Sequence, residues 1–234
     1  MKRNLFVNVF VNLILVVLVV SFSLVGFVGG TINVFNAKDP IYNGVSQNGV
    51  SLMINVYWGS EYIEEMLAIF QEYGVKTTFF VGGYWVAKET NLLAQIIADG
   101  HEVGNHGYFH KEMKNLDYQS NLDEIASCHN LVEKLFGINM TLFAPPSGSF
   151  GKNTTKAAEN LGYTTILWSK DTIDWRDKDA NVIYSRATKN VKGGDLILMH
   201  PTLCTVKALR KILTYYVDNG LTVIPVSQNL GQGV

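Results

Sequence analysis

Charge is scarce in this sequence, and its two signs are balanced. The 234 residues include 19 lysines and arginines against 20 aspartates and glutamates, which gives a formal net charge of -1 at pH 7. Binding to nucleic acid requires a concentration of positive charge that this composition does not supply. We therefore expect no nucleic-acid partner. The length is sufficient for one domain with a substantial core.

Cysteine is almost absent. Cys128 and Cys204 are the two cysteines, and they are far apart in the chain. Neither belongs to a pair with metal-binding spacing, so a single disulfide and two free thiols both remain open, and we favour buried free thiols. The sequence also has no internal repeat, no low-complexity tract and no glycine-rich loop of the kind that holds phosphate.

The N-terminal segment differs from the rest of the chain. Residues 5–28 are almost entirely apolar, and no charged residue lies between Arg3 and Lys38. A run of about 20 apolar residues can cross a bilayer, and a basic flank holds its own end in the cytoplasm. We expect residues 1–30 to be a single-pass anchor in a cell membrane, with the domain outside. A secretory signal peptide is the alternative, although residues 25–30 offer only a poor cleavage site.

Beyond a polar linker at residues 31–49, strand-like apolar runs alternate with amphipathic helices. The predicted strands cover 50–56, 77–81, 103–106, 142–143, 164–168, 195–199 and 221–226, and the predicted helices cover 61–73, 91–99, 120–136, 153–161, 181–191 and 206–219. Such alternation is typical of parallel strands joined by crossover helices, as in a doubly wound sheet or a barrel.

Polar or rigid loops follow five of these strands. They comprise residues 57–59, 106–110, 144–148, 171–175 and 200–201. In barrels, reactive side chains collect in the loops at the carboxyl ends of the strands. We therefore expect these five loops to meet on one rim.

His106 and His110 lie four residues apart beside a glycine-rich turn. Side chains with this spacing can share one face of a helical turn, where two neutral imidazoles can bind one divalent ion. A third ligand must then come from elsewhere, and two surface histidines would give the same spacing.

Six pieces of the chain follow one another in the order of a known set of motifs. They are residues 52–59, 77–81, 100–110, 143–148, 171–175 and 196–200. In this order they resemble the NodB-type polysaccharide deacetylases, carbohydrate esterase family four. The resemblance implies an α/β domain over residues 50–234, folded as a distorted (β/α) barrel with seven or eight parallel strands.

The resemblance also implies a chemistry. Members of this family hydrolyse N-acetyl groups of glycans with a divalent metal, usually zinc, and a cell-wall glycan such as peptidoglycan is the implied substrate. His106 and His110 match the metal ligands. His200 matches the general acid that protonates the leaving amine, and Asp174 matches the carboxylate that tunes this acid. We expect the protein to be a monomer.

The implied substrate-binding residues lie in the same loops. The resemblance gives Trp175 and Leu198 as walls of an acetyl pocket. Pro146 and Ser147 belong to the third motif, in which Ser147 replaces the usual tyrosine, but that position contributes a backbone N–H to the oxyanion site. Tyr57 can hydrogen-bond an intermediate.

Three positions depart from the family pattern. Tyr57 and Trp58 stand where the family has two aspartates, which serve as general base and third metal ligand. Ala144 stands where the family has the arginine that holds the base. The joint loss is coherent, because an arginine without its carboxylate would be an uncompensated charge in a partly buried site. These departures predict altered or lost chemistry.

Three functions stay open at this point. The first, which we favour, is a hydrolase in which Glu61 or Glu64 replaces the base, although both can be ordinary charges at a helix N-terminus. The second is a noncatalytic glycan-binding relative, and the third is a structural protein of the envelope. The first motif, residues 57–62, is similar to that of sporulation-associated deacetylase-like proteins, which implies the outer face of a cell or forespore membrane.

Overall fold

The structure is a computed structural model that describes residues 39–231. The predicted anchor or signal peptide at residues 1–30, and residues 31–38 of the predicted linker, lie outside this range. Within the described range, no helix combines the length and the apolar character needed to cross a membrane.

Within residues 39–231, eight short strands form one parallel sheet. They are β1 (Gly49–Val56), β2 (Thr78–Val81), β3 (Glu102–Asn105), β4 (Leu142–Phe143), β5 (Thr164–Thr165), β6 (Lys170–Asp171), β7 (Leu196–Met199) and β8 (Thr222–Val223). Their order is β5-β4-β3-β2-β1-β7-β6, and β8 pairs with the first residues of β1. Every ladder between these strands is parallel, which confirms the predicted α/β class and agrees with a distorted barrel.

The central strand is β1, and all eight of its residues are buried. A strand covered on both faces is typical of parallel sheets. Ile54 and Val56 belong to the large cluster that packs under the helices, whereas Met53 belongs to a smaller cluster on the opposite face. Because alternate residues of a strand share a face, Asn55 lies on the same face as Met53.

In the described part of the chain, eight α-helices accompany the strands. They are α1 (Ile63–Glu72), α2 (Gly83–Lys88), α3 (Thr90–Ala98), α4 (Tyr118–Phe136), α5 (Lys152–Asn160), α6 (Ala180–Thr188), α7 (Leu203–Asp218) and α8 (Val226–Asn229). The longest begins where the Asp117 side chain accepts a hydrogen bond from the Ser120 N–H at 2.7 Å, and it ends at Gly137 in a left-handed conformation. The six predicted helices are confirmed, whereas α2 and α8 are too short to show periodicity.

Two predicted strands were wrong in their extent. The run 221–226 contains only the two residues of β8, and Val226 already begins α8. The run 164–168 contains only the two residues of β5, and the chain then crosses the open side of the sheet. The Leu167 N–H donates to the Ile41 carbonyl at 2.8 Å, and the Ser169 N–H donates to the Leu196 carbonyl at 3.0 Å. The chain thereby changes its neighbouring strand from β4, which pairs with β5, to β7, which pairs with β6. As a result, residues 171–175 follow the sixth strand and His200 follows the seventh.

Both cysteines are free thiols. Cys128 is buried and Cys204 is half-buried. Burial raises the pKa of the Cys128 thiol to about 12, so this side chain is an inert part of the core at neutral pH.

Candidate active site

The loop between His106 and His110 is held by one buried carboxylate. Glu124 on α4 accepts hydrogen bonds from the backbone N–H groups of Tyr108 at 3.0 Å and Phe109 at 2.8 Å. Glu124 is only 3% exposed. The two imidazoles consequently lie side by side, with ring centroids 5.1 Å apart.

Both imidazoles are neutral in the folded protein. Burial, assisted by the neighbouring His110, lowers the pKa of His106 to about 3, and burial also lowers the pKa of His110. The Nδ1 atom of His106 lies 2.7 Å from the Ala144 carbonyl oxygen, which can only accept. His106 therefore carries its proton on Nδ1 and keeps a lone pair on Nε2, as a metal-binding histidine does.

His200 and Asp174 form the second group. Asp174 is 2% exposed and accepts hydrogen bonds from the His200 backbone N–H at 2.6 Å and from Nδ1 at 2.7 Å. The Thr205 hydroxyl donates to the same carboxylate at 2.6 Å. This arrangement fixes the imidazole and leaves Nε2 as the atom that can exchange a proton with a bound molecule.

These groups surround a pocket of about 420 Å³ at the carboxyl ends of the strands. The pocket brings together six of the residues selected from the sequence, namely His106, His110, Ser147, Trp175, Leu198 and His200. Four further residues line it: Asn55, Trp58, Trp168 and Asp171. The five loops therefore meet on one rim, as the order of the strands requires.

Three selected residues do not line the pocket: Asp174, which contacts His200, and Pro146 and Tyr57, which lie beside it. Pro146 is buried, and the ring of Tyr57 is turned aside. The Tyr57 ring lies 5.0 Å from His110 and 6.2 Å from Tyr84 between centroids. It also covers Gly82, where a Cβ atom would approach Tyr57 Cδ2 to 2.4 Å, so only glycine fits there.

Trp58 occupies the rim next to the proposed acid. Its indole lies nearly parallel to the His200 imidazole, with centroids 5.6 Å apart and an angle of 9° between the planes. The indole is 44% exposed, and its position is set by the turn at Gly59, which has φ 81°. A Cβ at Gly59 would clash with the Pro201 carbonyl oxygen, so this turn requires glycine.

The donor set is one ligand short of a catalytic metal site. Among residues 39–231, no group of three or more histidine, cysteine, aspartate or glutamate side chains is placed to hold a metal ion. His106 and His110 supply two donors, whereas the Trp58 indole offers only an N–H donor and no ligand atom. Catalytic zinc sites use three protein ligands. The described residues therefore do not fit the metal centre that the resemblance implies.

The sequence analysis missed the carboxylate that lines the pocket. Asp171 ends β6, and its Oδ1 accepts the Ile173 N–H at 2.8 Å. Burial raises the pKa of Asp171, and the turn after it forces Ile173 to φ 53°, which is unfavourable for a β-branched residue. By contrast, Glu61 and Glu64 are exposed and do not line the pocket. Position at a strand end was the signal that could have selected Asp171.

Asn55 and Trp168 were missed for a different reason. Both fell within predicted strands, and a strand prediction alone does not say which inward-facing residue reaches a cavity. Trp168 lies in the crossing segment between β5 and β6, where its ring contacts Gly148.

The fold and the pocket match one family of proteins. The family profile described as "Polysaccharide deacetylase" matches residues 43–166. The chain belongs to the polysaccharide deacetylase family, and within it to the NodB-type members of carbohydrate esterase family four whose motifs are degenerate.

Two curated relatives show how far this likeness extends. The chain is 38% identical over 191 residues to the uncharacterized protein YlxY of Bacillus subtilis (strain 168), a match that covers 81% of this chain and 60% of YlxY. It is 32% identical over 175 residues to a peptidoglycan-N-acetylglucosamine deacetylase of Bacillus cereus, with 72% of this chain and 82% of that protein covered. The chain thus spans about 60% of the length of YlxY.

One solved structure with the same fold comes from a protein described as a pseudoenzyme. The chain superposes with a TM-score of 0.80 on BA3943, a CE4 family pseudoenzyme from Bacillus anthracis, at 35% identity over 83% of this chain and 69% of that one. A mutant of BA3943 described as having restored enzymatic activity superposes equally well, at 34% identity over 83% of this chain and 72% of that one.

Proposed function

We propose that this protein binds an N-acetylated cell-wall glycan in the pocket and that the hydrolytic step of its family is impaired. One observation carries the proposal. Trp58 lies stacked on His200 at the position of the family's third metal ligand, and neither Tyr57 nor Trp58 offers a carboxylate to the pocket. Water activation therefore lacks both of its usual partners.

The same pocket is well suited to hold a sugar. Trp58 and Trp175 expose 44% and 53% of their surface, and both line the pocket. Their faces can pack on the apolar faces of sugar rings while their N–H groups reach polar partners. Leu198 adds an apolar wall next to Trp175, which suits the methyl of an acetyl group.

A second candidate function is hydrolysis with a different base. The observation in its favour is the intact hydrogen bond between His200 and Asp174. A general acid needs an imidazole held in a fixed position, whereas glycan binding alone does not. In this reaction water attacks the acetamide carbonyl carbon, the C–N bond breaks, and His200 protonates the departing amine. Asp171 is the pocket carboxylate that would accept the proton from water.

We also propose a role for the two paired histidines and for the N-terminal segment. His106 and His110 would bind a divalent ion, zinc by the preference of imidazole ligands, more weakly than a three-ligand site does. Residues 1–30 would anchor a monomer to a bacterial membrane with the glycan site outside, in the setting of the cell wall or spore. Only the amino-acid sequence supports the anchor and the location.

The experiment measures two quantities on the same protein. Isothermal titration with N-acetylated peptidoglycan fragments reports binding, and enzymatic assay of free acetate reports hydrolysis, each with and without added zinc. Binding without acetate release supports the main proposal. Acetate release that Asp171→Asn abolishes supports the second candidate, and the absence of both binding and release contradicts both.

A further inference from the structure

Asn55 is a buried amide without a partner. It is 4% exposed, and its Oδ1 is fully buried yet accepts no hydrogen bond. Its Nδ2 makes no hydrogen bond to any described residue either. Buried polar groups in proteins are nearly always paired, so an amide left free at both ends needs an explanation.

The other buried amide oxygen without a partner makes a useful comparison. Asn121 Oδ1 is also unpaired, but the Asn121 Nδ2 donates to the carbonyl oxygens of Met113, Leu116 and Asp117. Asn121 thus has a structural role at the start of α4. Asn55 has no such role, and it alone of the two lines the pocket.

The position of Asn55 places it on the floor of this pocket. It lies on the inward face of β1, one residue before the strand ends, beside Phe80 of β2. Tyr57 follows on the same face, but its ring packs over Gly82 and against His110. Because this ring is turned aside, the Nδ2 group of the amide below it stays open to a bound molecule.

We propose that Asn55 recognises the acetamido group of an N-acetylated sugar, an inference that rests on the proposed glycan binding. An acetamide presents a carbonyl oxygen that accepts a hydrogen bond, and the Asn55 Nδ2 presents the N–H group that can donate to it. The methyl group then packs against Trp175 and Leu198. The acetyl group is bound as a recognition element in a pocket that has lost its base.

The same pairing makes the site selective. A deacetylated sugar in its protonated form offers an ammonium group, which has donors only and leaves the Asn55 Nδ2 without an acceptor. A site built to hydrogen-bond a group discriminates strongly against an analogue that lacks it, because its own buried polar atoms then remain unpaired. Asn55 is therefore the residue that selects acetylated over deacetylated glycan.

The test compares two ligands and three proteins. The N-acetylglucosamine tetramer and the glucosamine tetramer are titrated calorimetrically into the unmodified protein, Asn55→Leu and Asn55→Asp. Leucine has a similar volume and removes an unpaired polar group, so this variant is expected to fold. Asn160→Leu, which changes an exposed asparagine on α5, is the matched control, and circular dichroism checks each variant.

We expect the unmodified protein and the control to prefer the acetylated tetramer at least tenfold. Asn55→Leu should bind that tetramer about tenfold to a hundredfold more weakly and bind the deacetylated tetramer unchanged. Asn55→Asp should also lose affinity for the acetylated tetramer, because a carboxylate cannot donate to the acetyl oxygen. An unchanged preference in both variants would overturn the role of Asn55 while leaving glycan binding intact.

Two other outcomes also decide against the inference. If the unmodified protein binds neither tetramer, the proposed glycan binding fails and the inference with it. If Asn55→Leu loses zinc binding in the same proportion as glycan binding, and a chelator abolishes glycan binding by the unmodified protein, Asn55 is a metal ligand and not the acetamide partner.

Discussion

The indole of Trp58 lies face to face with the imidazole of His200, with 5.6 Å between ring centroids and 9° between the planes. His200 is held from its other side by the buried Asp174 at 2.7 Å. The substitution at position 58 therefore does more than remove a metal ligand. It places a large aromatic face against the imidazole that we propose as the acid, and it adds a stacking surface to the pocket.

Restoring the missing groups should restore hydrolysis. In the triple variant Tyr57→Asp, Trp58→Asp and Ala144→Arg, the first change returns the base, the second returns the ligand and uncovers His200, and the third pairs with the new base. We expect acetate release from N-acetylated peptidoglycan to rise by about 10²-fold or more in the presence of zinc. Tyr57→Asp alone is the control and should stay near the starting rate. A triple variant that binds zinc and releases no acetate would contradict the assigned roles.

Removing an aromatic wall should weaken glycan binding. Trp175→Ala deletes a ring that is 53% exposed on the pocket rim. Loss of one stacking contact corresponds to about 0.5–1.5 kcal/mol, which is about a twofold to tenfold loss of affinity for peptidoglycan fragments. Leu135→Ala, which truncates an exposed apolar side chain on α4 away from the pocket, should leave the titration unchanged. Equal effects of the two substitutions would argue against binding in the pocket.

Metal binding should depend on the paired histidines. His106→Ala removes one of two donors, and a single remaining imidazole cannot hold a zinc ion at micromolar concentrations, so the zinc bound in equilibrium dialysis against micromolar zinc should disappear. His129→Ala on α4 is the control, since the His129 Nδ1 contacts the Tyr163 hydroxyl at 2.6 Å and does not line the pocket. Unchanged zinc content in His106→Ala would show that the metal, if any, binds elsewhere.

Glu124 should affect metal binding by His106 and His110, because it holds the backbone of the loop between them. Glu124→Gln retains the shape of the side chain but weakens its bonds to the N–H groups of Tyr108 and Phe109 and removes the ion pair with Lys111 at 3.1 Å. We expect a loss of about 1–3 kcal/mol in the free energy of unfolding and a lower zinc affinity. Urea denaturation and zinc titration measure the two effects. Glu133→Gln, on the exposed side of α4, should change neither by more than about 0.5 kcal/mol.

Stability should fall as the solution becomes acidic. Burial, reinforced by the charge of Lys76, lowers the pKa of His101 to about 4, and its Nδ1 accepts the Thr77 N–H at 3.2 Å. In the unfolded chain the imidazole binds a proton near pH 6.5, so between pH 6.5 and 4 the unfolded state binds more protons than the folded state. The stabilisation is present above pH 6.5 and is lost on acidification, at up to about 1.4 kcal/mol per pH unit for this group.

His101→Gln tests this pH dependence. Urea denaturation at pH 7, 6 and 5 should give a shallower fall in the free energy of unfolding for the variant than for the unmodified protein. The slope should not vanish, because burial also lowers the pKa of His106. Identical slopes in the two proteins would show that His101 is already protonated in the folded state.

Local patterns in the sequence were sufficient to predict much of the fold. The run Val50 to Val56 is an apolar stretch that only Ser51 and Asn55 interrupt, and α4 carries both a capping aspartate and a terminating glycine, so each is recognisable within a short window. The split of the predicted strand 164–168 was not recognisable. It depends on the hydrogen bond that the Leu167 N–H donates to the Ile41 carbonyl, a contact between segments more than a hundred residues apart.

Part of the candidate site could likewise be predicted from the sequence, and part could not. Spacing and motif order in the sequence selected His106, His110 and His200, and the residue types at positions 57, 58 and 144 already excluded the usual base, ligand and arginine. These are properties of residue identity and order, which the sequence states directly.

The tertiary structure alone decided how the remaining groups are used. It turned Tyr57 away from the pocket and laid Trp58 on His200. It also left the Asn55 amide unpaired on the pocket floor and brought Asp171 to the rim. Whether a side chain faces a cavity, a ring or a partner depends on which strands lie next to one another, and neighbouring strands in this sheet come from distant parts of the chain.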